Sequence, residues 1–235
     1  MSSDPSGGTR AGEGRWPAAV LWDMDGTLVD TEPCWIAAEY EMAARWGGTW
    51  SHEHALNLVG NDLLASGRYI REHMGIDRTP EQIVDELLDG VVARVSHEVP
   101  WRPGARELLA TLHEHEVPCA LVTMSYQRFV APILAALPDG TFDVVVTGDR
   151  VANGKPHPEP YLVGAELLGV RPESTVAIED SETGVRSATA AGCAVLVVPC
   201  HVEVPTGPGR NFRESLVGLG VEDLGDLLLQ GGVGR

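Results

Sequence analysis

Two aspartates, Asp23 and Asp25, follow the apolar run 18–22 and lead directly into Gly26 and Thr27. Ionised carboxylates at the end of a buried strand lose their hydration, so they need a positive partner. A divalent cation meets that need, and an all-oxygen donor set suits magnesium. An Asp-Gly turn closing a hairpin is the simpler reading, and this stretch alone leaves it open. Three further segments tip the balance. Glu179 and Asp180 form a second carboxylate pair after the run 175–178, followed by Ser181 and Gly184. Thr123, Met124 and Ser125 follow the run 120–122 and offer a hydroxyl and backbone donors for a phosphoryl oxygen. Gly154, Lys155 and Pro156 carry the one lysine in a chain with 17 lysines and arginines combined. A compact ammonium can sit between aspartates and a phosphoryl oxygen without the bidentate geometry of an arginine fork.

The elements that would position these residues follow from apolar periodicity. After Glu32, the residues Trp35, Ala38, Met42 and Trp46 recur at helical spacing until Gly47 and Gly48. A second helix is predicted from Asn61 and Asp62 to Gly75. A third runs through Ile83, Leu87, Val91 and Val95, with Thr79, Pro80, Glu81 and Gln82 as its start. Beyond Pro103 and Gly104 the texture changes to short apolar runs at 120–123, 144–147, 175–179 and 194–198, separated by amphipathic helices. That alternation predicts an α/β, doubly wound, Rossmann-like parallel sheet whose first strand is 20–22. The all-helical stretch is then an insertion after that strand. The expected division is a disordered tail at 1–15, a core from 16–32 and 101–235, and a helical cap domain at 33–100. Ligands of such sheets bind at the carboxyl ends of the strands, where every candidate residue above is found. After Pro199 the sequence predicts a Pro/Gly-rich connector, a short helix at 224–229 and no chemistry.

Composition narrows the function. With 43% hydrophobic and 22% charged residues over 235 positions, the chain can build a sizeable core. A net charge of −17 argues against nucleic acid and anionic membrane as partners, which both require a basic face. Cys34, Cys119, Cys193 and Cys200 show no paired metal-ligand spacing, and Cys119 and Cys193 read as core residues. A reduced, cytoplasmic setting is expected. The first fifteen residues lack the apolar centre of a signal peptide, and no run approaches a membrane span. The tryptophans Trp46, Trp50 and Trp101 read as core or hinge packing, and His52, His54 and His73 as surface or insertion packing.

Taken in order, Asp23-Met24-Asp25-Gly26-Thr27, Thr123, Gly154-Lys155-Pro156 and Glu179-Asp180 closely resemble the four motifs of the haloacid dehalogenase superfamily, over about 18–198. The resemblance implies a phosphatase in which Asp23 attacks phosphorus and Asp25 serves as acid and then base. It implies magnesium held by Asp23, the Asp25 carbonyl, Asp180 and, as a further candidate, Glu179. Gly26, Thr123, Met124 and Lys155 would bind the phosphate. In the insertion, Gly60 and Asn61 resemble the loop that faces the catalytic site, and Arg68 could contact a substrate hydroxyl or second phosphate. Arg68 and Arg71 also read simply as solvated helix residues.

Branches of the family separate on residues. The second aspartate, Asp25, argues against dehalogenation, and an insertion without lysine excludes the Schiff-base phosphonatase branch. Where the beta-phosphoglucomutase branch places a histidine, this chain has Trp35. The implied substrate is a small phosphorylated metabolite of the sugar or polyol class. The implied enzyme is a monomer, with a dimer as alternative. A phosphosugar mutase and a receiver-like phospho-acceptor module are the rival readings.

Overall fold

The computed structural model describes residues 16–58 and 63–231. The expected tail at 1–15 and the loop residues Gly60 and Asn61 lie outside the described residues. The first strand, β1 (Ala19–Trp22), is followed by four helices: α1 (Glu32–Trp46), α2 (His52–Leu56), α3 (Leu63–Met74) and α4 (Pro80–His97). Then come α5 (Ala105–Glu114), β2 (Cys119–Val122), α6 (Gln127–Ala135), β3 (Val144–Val146), α7 (Glu159–Leu168) and β4 (Thr175–Glu179). The chain ends with α8 (Glu182–Ala191), β5 (Ala194–Val197), β6 (Arg210–Phe212) and α9 (Val221–Gly231).

The six strands form one parallel sheet in the order β3-β2-β1-β4-β5-β6, with Leu21 in register with Ala120 on one side and Ala177 on the other. Side chains alternate across the sheet and give it two apolar faces. Val20, Trp22, Leu121, Ile178 and Leu196 pack with Leu108 and Leu112 of α5, Phe129 and Ile133 of α6 and Leu224 of α9. Leu21, Val122, Ala177 and Val195 pack with Tyr161 and Ala165 of α7 and Val185 and Ala188 of α8. Both faces are covered, so β1 and β4 are buried at every position. This is a Rossmann-like α/β fold. The Asp-Gly pair closes no hairpin, because each strand's neighbours run parallel to it.

The strand β6 was not expected, and the segment after Pro199 is therefore more than a connector. It is too short and too polar to announce itself, and its own first residue, Arg210, anchors it by pairing with Glu182 at the start of α8. The helix α2 was also missed; five residues carry too little periodicity to read.

The four inserted helices enter and leave the core side by side. Asp30 N–H donates to the Pro100 carbonyl (2.8 Å), Arg102 N–H to the Leu28 carbonyl (3.0 Å), and Val29 bridges Trp101 antiparallel. Within the insertion, α4 starts with a capping box: Thr79 Oγ1 accepts from Gln82 N–H, and Gln82 Oε1 accepts from Thr79 N–H. Its apolar face, Ile83, Leu87, Val91 and Val95, is buried, and Arg128 of α6 pairs with Asp89 on α4 across the junction. Trp50 Nε1 donates to the buried Glu39, and His54 stacks on the Trp50 ring, as insertion packing requires. Trp46 corrects the core assignment. It is 43% exposed, with the Arg78 guanidinium 3.8 Å from its ring centroid, because its place near the end of α1 faces solvent and the charged Glu86.

Candidate active site

Four strand ends converge on one cluster. Asp23 leaves β1, and its backbone N–H is still held by Ile178 of β4 (3.0 Å). Glu179 is the last residue of β4 and is fully buried. Lys155 arrives from the loop between β3 and α7. Its Nζ donates to Asp23 Oδ1 at 2.6 Å and to Glu179 Oε1 at 2.7 Å. Only 5% of that side chain is exposed. Glu179 is saturated: Oε1 also accepts from Tyr161 Oη (2.6 Å), while Oε2 accepts from Asp180 N–H and Ser181 Oγ (3.2 Å each). Asp180 is different. It is buried beside Asp23 and Glu179, yet its carboxylate accepts no hydrogen bond among the described residues.

Asp25 points to another side. Its Oδ1 accepts from Thr31 Oγ1 (2.6 Å), and its Oδ2 accepts from Ser125 Oγ (2.7 Å) and Thr123 Oγ1 (3.4 Å). Thr123 thus faces Asp25, with its hydroxyl also accepting from Ser125 N–H (3.0 Å). The Met124 sulfur accepts from the Lys155 backbone N–H (3.1 Å) and so seats the lysine loop. Arg68 is exposed on α3, where it and Arg71 act electrostatically on Glu81. Among the described residues, nothing joins Arg68 to the cluster.

Two glycines let the elements approach. Gly26 has φ +87°, and a Cβ there would lie 2.0 Å from an Asp180 carboxylate oxygen. At Gly184, in the first turn of α8, a Cβ would lie 1.8 Å from Glu179 Oε1. Alanine in a helix is worth about 1 kcal/mol over glycine by propensity alone. Gly184→Ala is nevertheless expected to lose about 1–3 kcal/mol through overpacking. A urea titration showing an unchanged or raised midpoint would remove Gly184 from the site's architecture.

The electrostatics follow from burial. Burial pushes the Asp23 carboxyl up, opposed by Lys155 and reinforced by Glu179 and Asp25. Asp180 is pushed up by burial and then by Asp23 and Glu179. Burial raises Asp25 as well, against the hydrogen bonds from Thr31, Ser125 and Thr123. Burial alone would lower Lys155, but Asp23 and Glu179 together hold its ammonium above the ordinary range. One cation among three buried carboxylates leaves negative charge in excess. Asp23 and Asp180 supply hard oxygen donors with an uncompensated carboxylate between them, and a divalent cation fits that donor set.

The model of the haloacid dehalogenase-like hydrolases matches residues 20–198. The chain belongs to this family. It is similar to a phosphorylated carbohydrates phosphatase of Thermotoga maritima, 34% identical over 175 residues that cover 74% of this chain and 81% of the relative. It is similar to hexitol phosphatase A of Escherichia coli, 34% identical over 189 residues, covering 79% and 84%. Among solved structures, CbbY from Rhodobacter sphaeroides in complex with phosphate superposes with a TM-score of 0.77 at 29% identity, covering 87% of this chain and 96% of that one. Phosphatases thus stand among the relatives of this haloacid dehalogenase-like hydrolase. Two of its site residues were not picked out from sequence. Thr31, one residue ahead of α1, gives no hint in the sequence that its hydroxyl meets Asp25, and Tyr161 gives none that its phenol meets Glu179. A phenol on a buried helix face needs a partner for its hydroxyl, which is the signal that could have found it.

Proposed function

We propose that this hydrolase is a magnesium-dependent phosphatase acting on a small phosphorylated metabolite of the sugar or polyol class. The observation that carries the reading is Lys155 Nζ held between Asp23 and Glu179 with Asp180 alongside. Magnesium would be held by Asp23, Asp180 and the Asp25 carbonyl. When bound, it neutralises the charge of the transferring phosphoryl group. Glu179, with both oxygens already engaged, holds Lys155 in place instead.

Asp23 is the nucleophile. Lys155 takes its Oδ1, and Oδ2 accepts no hydrogen bond among the described residues. Attack by this oxygen forms the bond to phosphorus as the ester oxygen leaves, giving an aspartyl-phosphate. Asp25, whose burial favours the protonated form, gives its proton to the leaving oxygen. It then takes a proton from water, which attacks phosphorus and frees Asp23 with release of phosphate. Thr31 and Ser125 hold Asp25 in place through both steps. Thr123, Met124, Gly26 and Lys155 line the phosphate position, and the helical insertion at 33–100 acts as the cap that sets specificity, with Gly60, Asn61 and Arg68 as its candidate contacts.

Trp35 favours this reading over a mutase. Its ring meets Phe129 of α6 edge-on at 5.5 Å, so an apolar contact stands where an acid-base group would be required. The test is phosphate release from a panel of sugar, polyol and nucleotide phosphates, before and after chelation. Sugar or polyol phosphates are expected to be hydrolysed best, with activity lost on chelation and regained with magnesium. Turnover that survives chelation overturns the metal role. Exclusive hydrolysis of nucleotides overturns the substrate class, and isomer formation outrunning phosphate release favours the mutase.

A further inference from the structure

A second set of metal-ligating side chains lies where the insertion joins the core, outside the catalytic cluster. Asp30, Cys200 and His201 each present a ligand atom, and these atoms lie within 4.8 Å of one another. They come from segments far apart in the chain. Asp30 belongs to the segment leading into α1, and Cys200 and His201 follow β5. Spacing within the sequence therefore hides the set. His201 Nε2 lies 2.6 Å from Asp30 Oδ1. Arg102 Nη1 donates to Cys200 Sγ (3.1 Å) and Nη2 to the Pro199 carbonyl (3.1 Å).

We propose that Asp30, Cys200 and His201 form a site for one zinc-class transition-metal ion. A thiol, an imidazole and a carboxylate together select zinc, cobalt or copper over magnesium, which binds oxygen alone. The Arg102 bond to sulfur is the outer contact that a metal thiolate uses to fix its orientation. Asp30 is pinned through its own backbone N–H to Pro100, so one ligand stands on a fixed ladder. Asp30 and His201 are about one-third exposed, which leaves the ion a path from solvent. Ligands on a tetrahedral ion of this size stand about 3.3 Å apart. The 2.6 Å contact between His201 and Asp30 must open by less than about 1 Å to reach that spacing. Glu32 also acts electrostatically with His201 and Asp30.

On binding, the Cys200 thiol gives its proton to solvent, and His201 binds through Nε2 as the Nδ1–H tautomer. The bound ion ties the segment before α1 to the loop after β5. Motion of the insertion is thereby restrained, and turnover slows.

The test is a cobalt titration of the full chain, freed of trace metal and kept in excess magnesium. One equivalent should produce a near-ultraviolet thiolate-to-cobalt charge-transfer band with the visible bands of four-coordinate cobalt, removed by zinc. Cys200→Ser and His201→Ala, each confirmed folded by circular dichroism, should lose the band. Cys34→Ser and Asp180→Asn should keep it. Absence of the band in the parent protein, or its survival in Cys200→Ser, overturns the site. Loss in Asp180→Asn places the ion at the catalytic cluster and overturns it too. Zinc should slow hydrolysis by the parent and not by Cys200→Ser; equal inhibition of both overturns the restraint. The cobalt bands need no substrate, so this result is independent of the phosphatase reading.

Discussion

Asp23→Asn is expected to lower turnover by roughly 10⁵–10⁶, the scale at which deletion of a covalent nucleophile acts. The amide keeps a hydrogen-bond acceptor at the position of Oδ1, so Lys155 retains both partners. It also removes one of three buried carboxylates from a place short of positive charge. Thermal unfolding should therefore show a midpoint no lower than that of the parent, while phosphate release and phosphoenzyme trapping with labelled substrate both fail. Near-normal release in this variant would mean that another group attacks phosphorus.

Lys155→Met tests the opposite half of the pair. Methionine fills a similar volume and carries no charge, so Asp23 and Glu179 lose the cation that compensates them. Breaking a buried ion pair from one side costs about 3–5 kcal/mol. Losing the charge on a phosphoryl oxygen should lower turnover by about 10²–10³. The stability loss should also depend on pH. A carboxyl whose folded pKa is raised above its unfolded value binds more protons in the native state, so stability falls as pH rises through that interval. Burial already raises Asp23 and Asp180 from 3.8, and removal of the ammonium raises Asp23 further. Without magnesium, the gap between variant and parent in a denaturant titration should widen from pH 6 to pH 8. A gap that is constant or narrows would show that Lys155 is not what compensates these groups.

Much of this arrangement was legible because buried strands leave few options. Ala19–Trp22 and the run 176–178 are apolar throughout, and a carboxylate follows each directly, Asp23 after β1 and Glu179 as the last residue of β4. Lys155 was conspicuous as the chain's one lysine, and its contact with Asp23 spans 132 positions. What stayed hidden was partnership. Nothing in the run around Tyr161 says that its hydroxyl ends on Glu179, since helical periodicity reports a face and not the atom that face meets. Gly184 looked like a small residue at a helix start, and the closeness of Glu179 shows only once β4 and α8 are in place. The strand β6 was invisible for a related reason: three residues at a sheet edge, held by Arg210 and Glu182, have no pattern to display.

The adjoining crossings of the chain between sheet and insertion have a thermodynamic corollary. Because Leu28, Asp30, Pro100 and Arg102 are bonded to one another, the segment between them behaves as a ring whose ends the sheet has already brought together. Lengthening such a ring costs free energy only with the logarithm of its size, about 0.6 kcal/mol per doubling. Its helices can therefore be lengthened, trimmed or exchanged over generations at little expense to the sheet. The aspartates and the ammonium at the strand ends stay where they are while the inserted segment changes.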